Sequence, residues 1–294
     1  MKKIVLMLFA LSMLMVSSVV YADTTEVQPA SEPTFEETLG LEVLKFANEK
    51  LENDLKEGHP ELYEAFSRTL DTPYGFNMNV NLIANVNETM AEELGVRRIV
   101  AQMYANGYIN MPAKQAEMKL NMNIDAGAAL NESIEGVEVR MIDDLIYSYD
   151  PSASYWSEET LDYADLGMMG NPMEQQSIGY MAPFADKMTK RETVNGMVYS
   201  LSMTGEDIKD SINETFGESV YDAFMSGVES EGVMFEIPTF KMDYVIKDGV
   251  IRAQHTEIEL NLVVDGEAIN LMMAVDGEYY SYGLQKEVVA PVME

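Results

Sequence analysis

Between Gly75 and Ala126, apolar and polar residues alternate with almost no interruption. Phe76, Met78, Val80, Leu82, Ala84 and Val86 share one parity, and Asn77, Asn79, Asn81 and Asn85 take the other. Ala101, Met103, Ala105, Ile109 and Met111 are set against Gln102, Asn106 and Asn110 in the same way. Met118, Leu120, Met122, Ile124 and Ala126 are set against Glu117, Lys119, Asn121, Asn123 and Asp125. Successive side chains of an extended chain point to opposite faces, so each segment predicts a strand with one apolar and one polar face. The short connections carry Asn, Glu, Gly and Pro and predict an antiparallel meander. An apolar face this long has to lie on something, and what covers it decides the function.

The flanking stretches read differently. Residues 23–33 hold Thr, Ser, Glu and Pro and predict a flexible leader. Helical spacing of Phe35, Leu39, Leu44, Ala47, Leu51 and Leu55 predicts a helix over 34–56, broken at Gly58-His59-Pro60. A shorter helix follows through Leu62, Phe66 and Leu70, and residues 71–75 turn the chain into the first strand. Residues 127–136 read as a polar connection, and 138–141 with 145–149 as a hairpin about Asp143-Asp144. Asp150-Pro151-Ser152 leads to Tyr155 and Trp156. From 157 to 188 the two-residue period is lost, and short helices are expected over 158–166 and 171–185, split by a Gly167-Met168-Met169-Gly170 loop. Strands return over 189–203 with Asn195-Gly196 as the turn signal. Thr204 and Asp207 form a capping-box pattern before a helix carrying Ile208, Ile212, Phe216, Val220 and Phe224. A last meander runs over 241–246, 250–264 and 267–280, turned at Asp248-Gly249 and Asp265-Gly266. On it Ile258, Leu260, Leu262 and Val264 share a face, as do Ile269, Leu271, Met273 and Val275. No boundary rich in Gly, Ser or Pro divides these strands, so a single domain over 59–284 is expected, with a tail over 285–294.

The N-terminus changes the picture of location. Lys2 and Lys3 precede an apolar run over 4–20, and Val20-Tyr21-Ala22 stands before Asp23. This is the pattern of a signal peptide cleaved after Ala22, with an uncleaved anchor as the alternative because the run approaches the length of a short span. Export to the periplasm, or to the extracellular or cell-wall space of a bacterium, is the expectation. The chain has no cysteine, which excludes disulfides, thiolate metal ligands, a cysteine nucleophile and a lipid-modified N-terminal cysteine. After signal cleavage no stable transmembrane anchor is expected.

The net charge is −31, from 50 acidic and 19 basic residues. Charge of this sign argues against nucleic acid and against docking on anionic lipid, and suits a solvated exported surface. Methionine is abundant, with 24 residues of which four (Met1, Met7, Met13 and Met15) lie in the signal. It serves equally as irregular core filler or as a surface that accepts varied apolar partners.

A search for chemistry returns nothing. The two histidines, His59 in a helix break and His255 between Gln254 and Thr256 on a strand, read as satisfied polar residues. No nucleophile elbow, P-loop, zinc-protease motif, dinucleotide glycine pattern or calcium loop occurs. Acidic residues are too frequent for carboxylate pairs to carry weight, so a hydrolase remains a remote alternative. The sequons at Asn87, Asn131 and Asn213 carry no weight in a bacterial protein. The chain reads as non-enzymatic, without catalytic residues, metal or cofactor.

The order of elements has a known counterpart. A helix, a long antiparallel meander with Tyr147, Tyr149 and Asp150 leading to Trp156, a helical insertion, an Asn195-Gly196 hairpin, a further helix and final strands about Asp248-Gly249 together resemble the LolA/LppX-like superfamily of exported lipoprotein and lipid carriers. The resemblance spans about 60–283 and is closest to uncharacterised exported proteins of Firmicutes. It implies an α+β fold: a strongly curved antiparallel sheet, an incomplete β-barrel, with helices capping its concave apolar face. It also implies a cavity for acyl chains lined by the inward set Met78, Val80, Leu82, Met103, Met118, Leu120, Met122, Ile124, Met242, Leu260, Leu262, Leu271 and Met273. The chain departs from the family in lacking the lipidated cysteine and in its extra helix over 34–56. The implied partner is a hydrophobic small molecule or lipid. The rival expectation is a solid core whose outer face binds an envelope protein, for which Tyr279-Tyr280-Ser281-Tyr282 would suit the interface.

Overall fold

The computed structural model describes residues 53–127, 131–143, 145–160, 182–216, 233–264 and 267–293. Residues 53–58 are helical and stop at His59, and helix α1 (Pro60–Asp71) begins at once. Pro60 sits in its first turn, where no N–H is needed. Leu62, Ala65, Phe66 and Thr69 give α1 one buried face, and Pro73 forces Thr72 into the extended backbone that ends it.

Among the described residues eleven strands follow: β1 (Tyr74–Val86), β2 (Arg98–Asn110), β3 (Gln115–Asp125), β4 (Asn131–Ile142), β5 (Leu145–Asp150), β6 (Tyr155–Thr160), β7 (Thr189–Thr193), β8 (Gly196–Met203), β9 (Val233–Lys247), β10 (Val250–Val264) and β11 (Glu267–Tyr280). Helix α2 (Glu88–Leu94) links β1 to β2, a 3-10 turn (Ala182–Lys187) precedes β7, and α3 (Gly205–Phe216) follows β8. All strands belong to one antiparallel sheet in the order β6-β5-β4-β3-β2-β1-β11-β10-β9-β8-β7. The chain starts in the middle, walks outward to β6, resumes at the far edge with β7 and walks back until β11 closes on β1. The two edges do not pair with each other, so the result is an open, curved, barrel-like sheet of α+β type.

Register carries the alternation of single strands into rows across the whole sheet. Ile134, Met122, Met103 and Val80 stand side by side, and the row continues through Val275, Thr256, Met242 and Leu201. The next row runs Ile124, Ala101, Leu82, Met273, Ile258, Phe240 and Met203. Gly107 stands beside Phe76 in this wall, and a Cβ there would come within 2.2 Å of Glu117 O and 2.8 Å of the Phe76 ring, so both the β3 backbone and the aromatic close in on the missing side chain.

Several elements differ from expectation. Residues 131–136 belong to β4 and are not a loop. Between Leu120 and Met122 the pairing shifts, with Glu135 and Gly136 together opposing Asn121, and Gly136 has φ +77° and donates its N–H to Asn121 Oδ1 at 2.8 Å. This bulge moves the inward parity from Val137 back to Ile134, which hides the strand from any test of strict alternation. Residues 158–160 extend β6, where a helix over 158–166 was expected. β9 begins at Val233, ahead of the expected 241. Thr193 pairs with Gly196, so the β7–β8 turn holds Val194 and Asn195, one residue before the Asn195-Gly196 signal. The capping box is present: Asp207 Oδ2 accepts from the Thr204 amide at 2.9 Å, and the Asp207 amide donates to Thr204 Oγ1 at 3.3 Å. Of the helix expected over 34–56 and the one over 171–185, only their ends fall among the described residues. The Gly167–Gly170 loop, the Asp265-Gly266 turn, Val220 and Phe224 also lie outside them.

Candidate functional site: the concave face

Every residue of the expected inward set lies on one face of the sheet. Met78, Val80, Leu82, Met103, Leu120, Ile124, Met242, Leu262, Leu271 and Met273 are buried there, while Met118, Met122 and Leu260 are partly buried against the same cluster. Ala101, Phe240 and Ile258 share that partial burial. The wall is aliphatic and thioether-rich over β1, β2, β3, β10 and β11, a surface that solvates hydrocarbon without fixing its position.

Helix α1 lies over the face at β8, β9 and β10. The Phe66 ring meets Tyr244 edge-on at 5.0 Å, and His59 meets Tyr199 at 5.6 Å. Thr69 Oγ1 donates to Ala65 O at 2.7 Å and accepts the Ile251 amide at 3.3 Å, tying helix to strand. At the helix start Tyr199 donates to Glu61 Oε2 at 3.0 Å, and Lys190 reaches the same oxygen at 2.6 Å. The Lys190 hydrogen bond holds the Glu61 carboxyl below its usual range. Tyr74, Tyr279 and Tyr282 pack ring to ring beside this helix at 5.6 and 5.7 Å. Burial pushes all three phenols up, Tyr282 to about 12. Helix α3 and the 3-10 turn lean on β8 and β9.

The trough therefore has an aromatic, hydrogen-bonded end closed by α1 and a plain aliphatic remainder. The sequence reading missed the aromatic end. Tyr244 follows Met242 at the parity of β9, so its inward position was legible. Tyr279 and Tyr282, expected at an interface, are drawn inward, and of the three tyrosines near the C-terminal strand end only Tyr280 is exposed, at 41%.

His255 lies on the outer face. Its Nδ1 meets Asp276 at 2.7 Å and its Nε2 meets Glu257 at 3.3 Å; the Asp276 hydrogen bond raises its pKa. Among the described residues no helix is long and apolar enough to cross a membrane.

No family model and no curated protein matches the chain. Among solved structures, lipovitellin, described in terms of its lipid–protein interactions, gives a TM-score of 0.33 at 9% identity over 76% of this chain and 26% of that one. This chain thus spans about a quarter of the length of the lipovitellin chain. A β-barrel-like protein of the domain of unknown function DUF1849 from Brucella abortus gives 0.22 at 8% identity over 71% of this chain and 98% of that one. A porin-like protein from Bacteroides uniformis gives 0.18 at 11% identity, over 69% and 96%. Similarity at these scores carries no argument about function. The coarser expectation, an open barrel-like antiparallel sheet with helices, holds, and the finer LolA/LppX-like assignment has no matching family behind it.

Proposed function

We propose that this protein is an exported, non-enzymatic carrier or sensor that holds a hydrophobic ligand, a lipid or the acyl chain of a lipoprotein, against the concave face of its sheet. One observation carries the reading: apolar rows cross the strands side by side, yet Met118, Met122, Ala101, Ile258 and Leu260 on them remain only partly buried. A monomer that needed this face only as core would gain by burying those positions fully. Each methylene laid on such a wall contributes about 0.8 kcal/mol, so a long acyl chain gains on the order of 10 kcal/mol before ordering costs. Flexible methionines suit a ligand whose shape varies, and the LolA/LppX-like order of elements agrees with this role.

Delipidated protein should take up a fluorescent fatty acid in saturable fashion, and gently purified protein should carry lipid in native mass spectrometry. Absence of both defeats the reading and favours a solid envelope-interaction module.

A further inference from the structure

The opposite face of the sheet carries a second surface of different chemistry. On β1 the outward residues include Asn77, Asn79 and Asn81, and register sets them beside Asn106, Tyr104 and Gln102 of β2. This strip is uncharged in a chain of net charge −31. Two tyrosine rings stand out from it: Tyr104 is 37% exposed and Tyr280 41%, and both hydroxyls donate to Asn77 Oδ1, at 3.3 and 3.4 Å.

The strip runs into a cavity. The segment after β11 crosses the outer face as a strap: the Gly283 amide donates to Pro73 O, the Lys286 amide to the Tyr108 hydroxyl, and Arg140 to Val289 O at 2.8 Å. Under it lies a recess of about 280 Å³ lined by Asn106, Glu117, Lys119, Glu138, Arg140 and Lys286. Each of its three cations is engaged by one of its two carboxylates, since Lys119 and Arg140 share Glu138 at 2.6 and 3.4 Å and Lys286 meets Glu117. Arg140 also lies over the ring of Trp156, 4.9 Å from its centre.

We propose that this recess and the adjoining amide strip bind a neutral oligosaccharide. Amides offer donors and acceptors together, and the paired carboxylates and cations do the same, which is what a ring of hydroxyls requires. The exposed tyrosines supply flat apolar faces for the C–H side of a pyranose. Charge favours the class, because the recess cations are already held by carboxylates and the uncharged strip is flanked on β11 by Asp276 and Glu278, which repel anionic polymers. A peptide is the poorer fit. The β1–β4 backbone is already spent in the ladder, so the strip presents no edge for strand addition, and its surface offers amides where an anchoring side chain needs an apolar socket.

Trp156 is the only tryptophan and serves as the reporter. Titration of the full chain with cello- and chito-oligosaccharides should change its emission saturably. Tyr104→Ala and Asn106→Ala should each weaken binding at least about tenfold, equivalent to about 1.4 kcal/mol, while leaving the thermal midpoint and fatty-acid uptake unchanged. The proposal is overturned if neither sugar series binds saturably. It is also overturned if binding survives both substitutions, or if an anionic glycan or a peptide competes more strongly than the neutral sugars.

Discussion

The two halves of the concave face are built from the same alternation but finished differently. Across β8, β9 and β10, helix α1 presses Phe66 onto Tyr244 and His59 onto Tyr199, and Thr69 bonds the backbone of β10. Across β2 and β3 the inward residues are Ala, Met, Leu and Ile, with no ring or helix hydrogen bond on them among the described residues. Met118 and Met122 stay partly open, as Phe240, Ile258 and Leu260 do on β9 and β10 beyond the reach of those ring contacts. A row of apolar side chains thus does not say by itself whether it is core or binding wall. The difference lies in partners from distant sequence that lock specific geometry on one half and leave the other deformable.

The strongest way to break this comparison is to unseat the lid. Phe66→Ala should cost about 3–5 kcal/mol in urea unfolding, the usual loss for a buried ring. A loss under about 1 kcal/mol would mean that α1 merely rests on the sheet. Next, Leu271→Ala at the buried centre should cost about 2–5 kcal/mol, whereas Met122→Ala on the open half should cost clearly less and weaken fatty-acid uptake instead. Equal stability losses would erase the distinction between the halves. Thr69→Val keeps the shape of the side chain but strands the Ile251 amide, so a loss of about 1–3 kcal/mol is expected, read in the same experiment.

The smallest effect concerns the outer surface of the covered half. His255 gains its Asp276 and Glu257 partners on folding, and its raised pKa means the protonated form is the stabilised one. That contribution is full below the unfolded value of about 6.5 and fades as pH rises through the higher folded value. The stability difference between wild type and His255→Gln should therefore shrink from about pH 5 to about pH 8. It stays modest because the ring is 38% exposed and solvent screens the pair. A difference that grows with pH would contradict the arrangement.

Much of the wall was legible in advance. The parity of Met78, Val80 and Leu82 against the asparagines, and of Leu260 and Leu262 beside Leu271 and Met273, holds in the structure because strand faces repeat every two residues whatever the tertiary context. The Asp248-Gly249 turn was equally readable, since both residues adopt positive φ, +58° and +73°, as a two-residue hairpin demands. Residues 131–136 were not legible, because the extra residue at Gly136 breaks the parity on which the reading depends. Tyr279 continues the parity of Ile269, Leu271, Met273 and Val275 and was legible, whereas Tyr282, beyond the strand, was not, since its position depends on Tyr74 and on the backbone of β10.

By itself, then, the sequence determined which side of most strands is apolar and that Asp248-Gly249 makes a tight turn. These are properties of neighbours one to four residues apart. Only the tertiary structure decided that β11 closes on β1, that α1 covers one half of the trough, and that the last residues strap the outer face. Those outcomes rest on contacts between residues far apart in the chain, where local periodicity exerts no force.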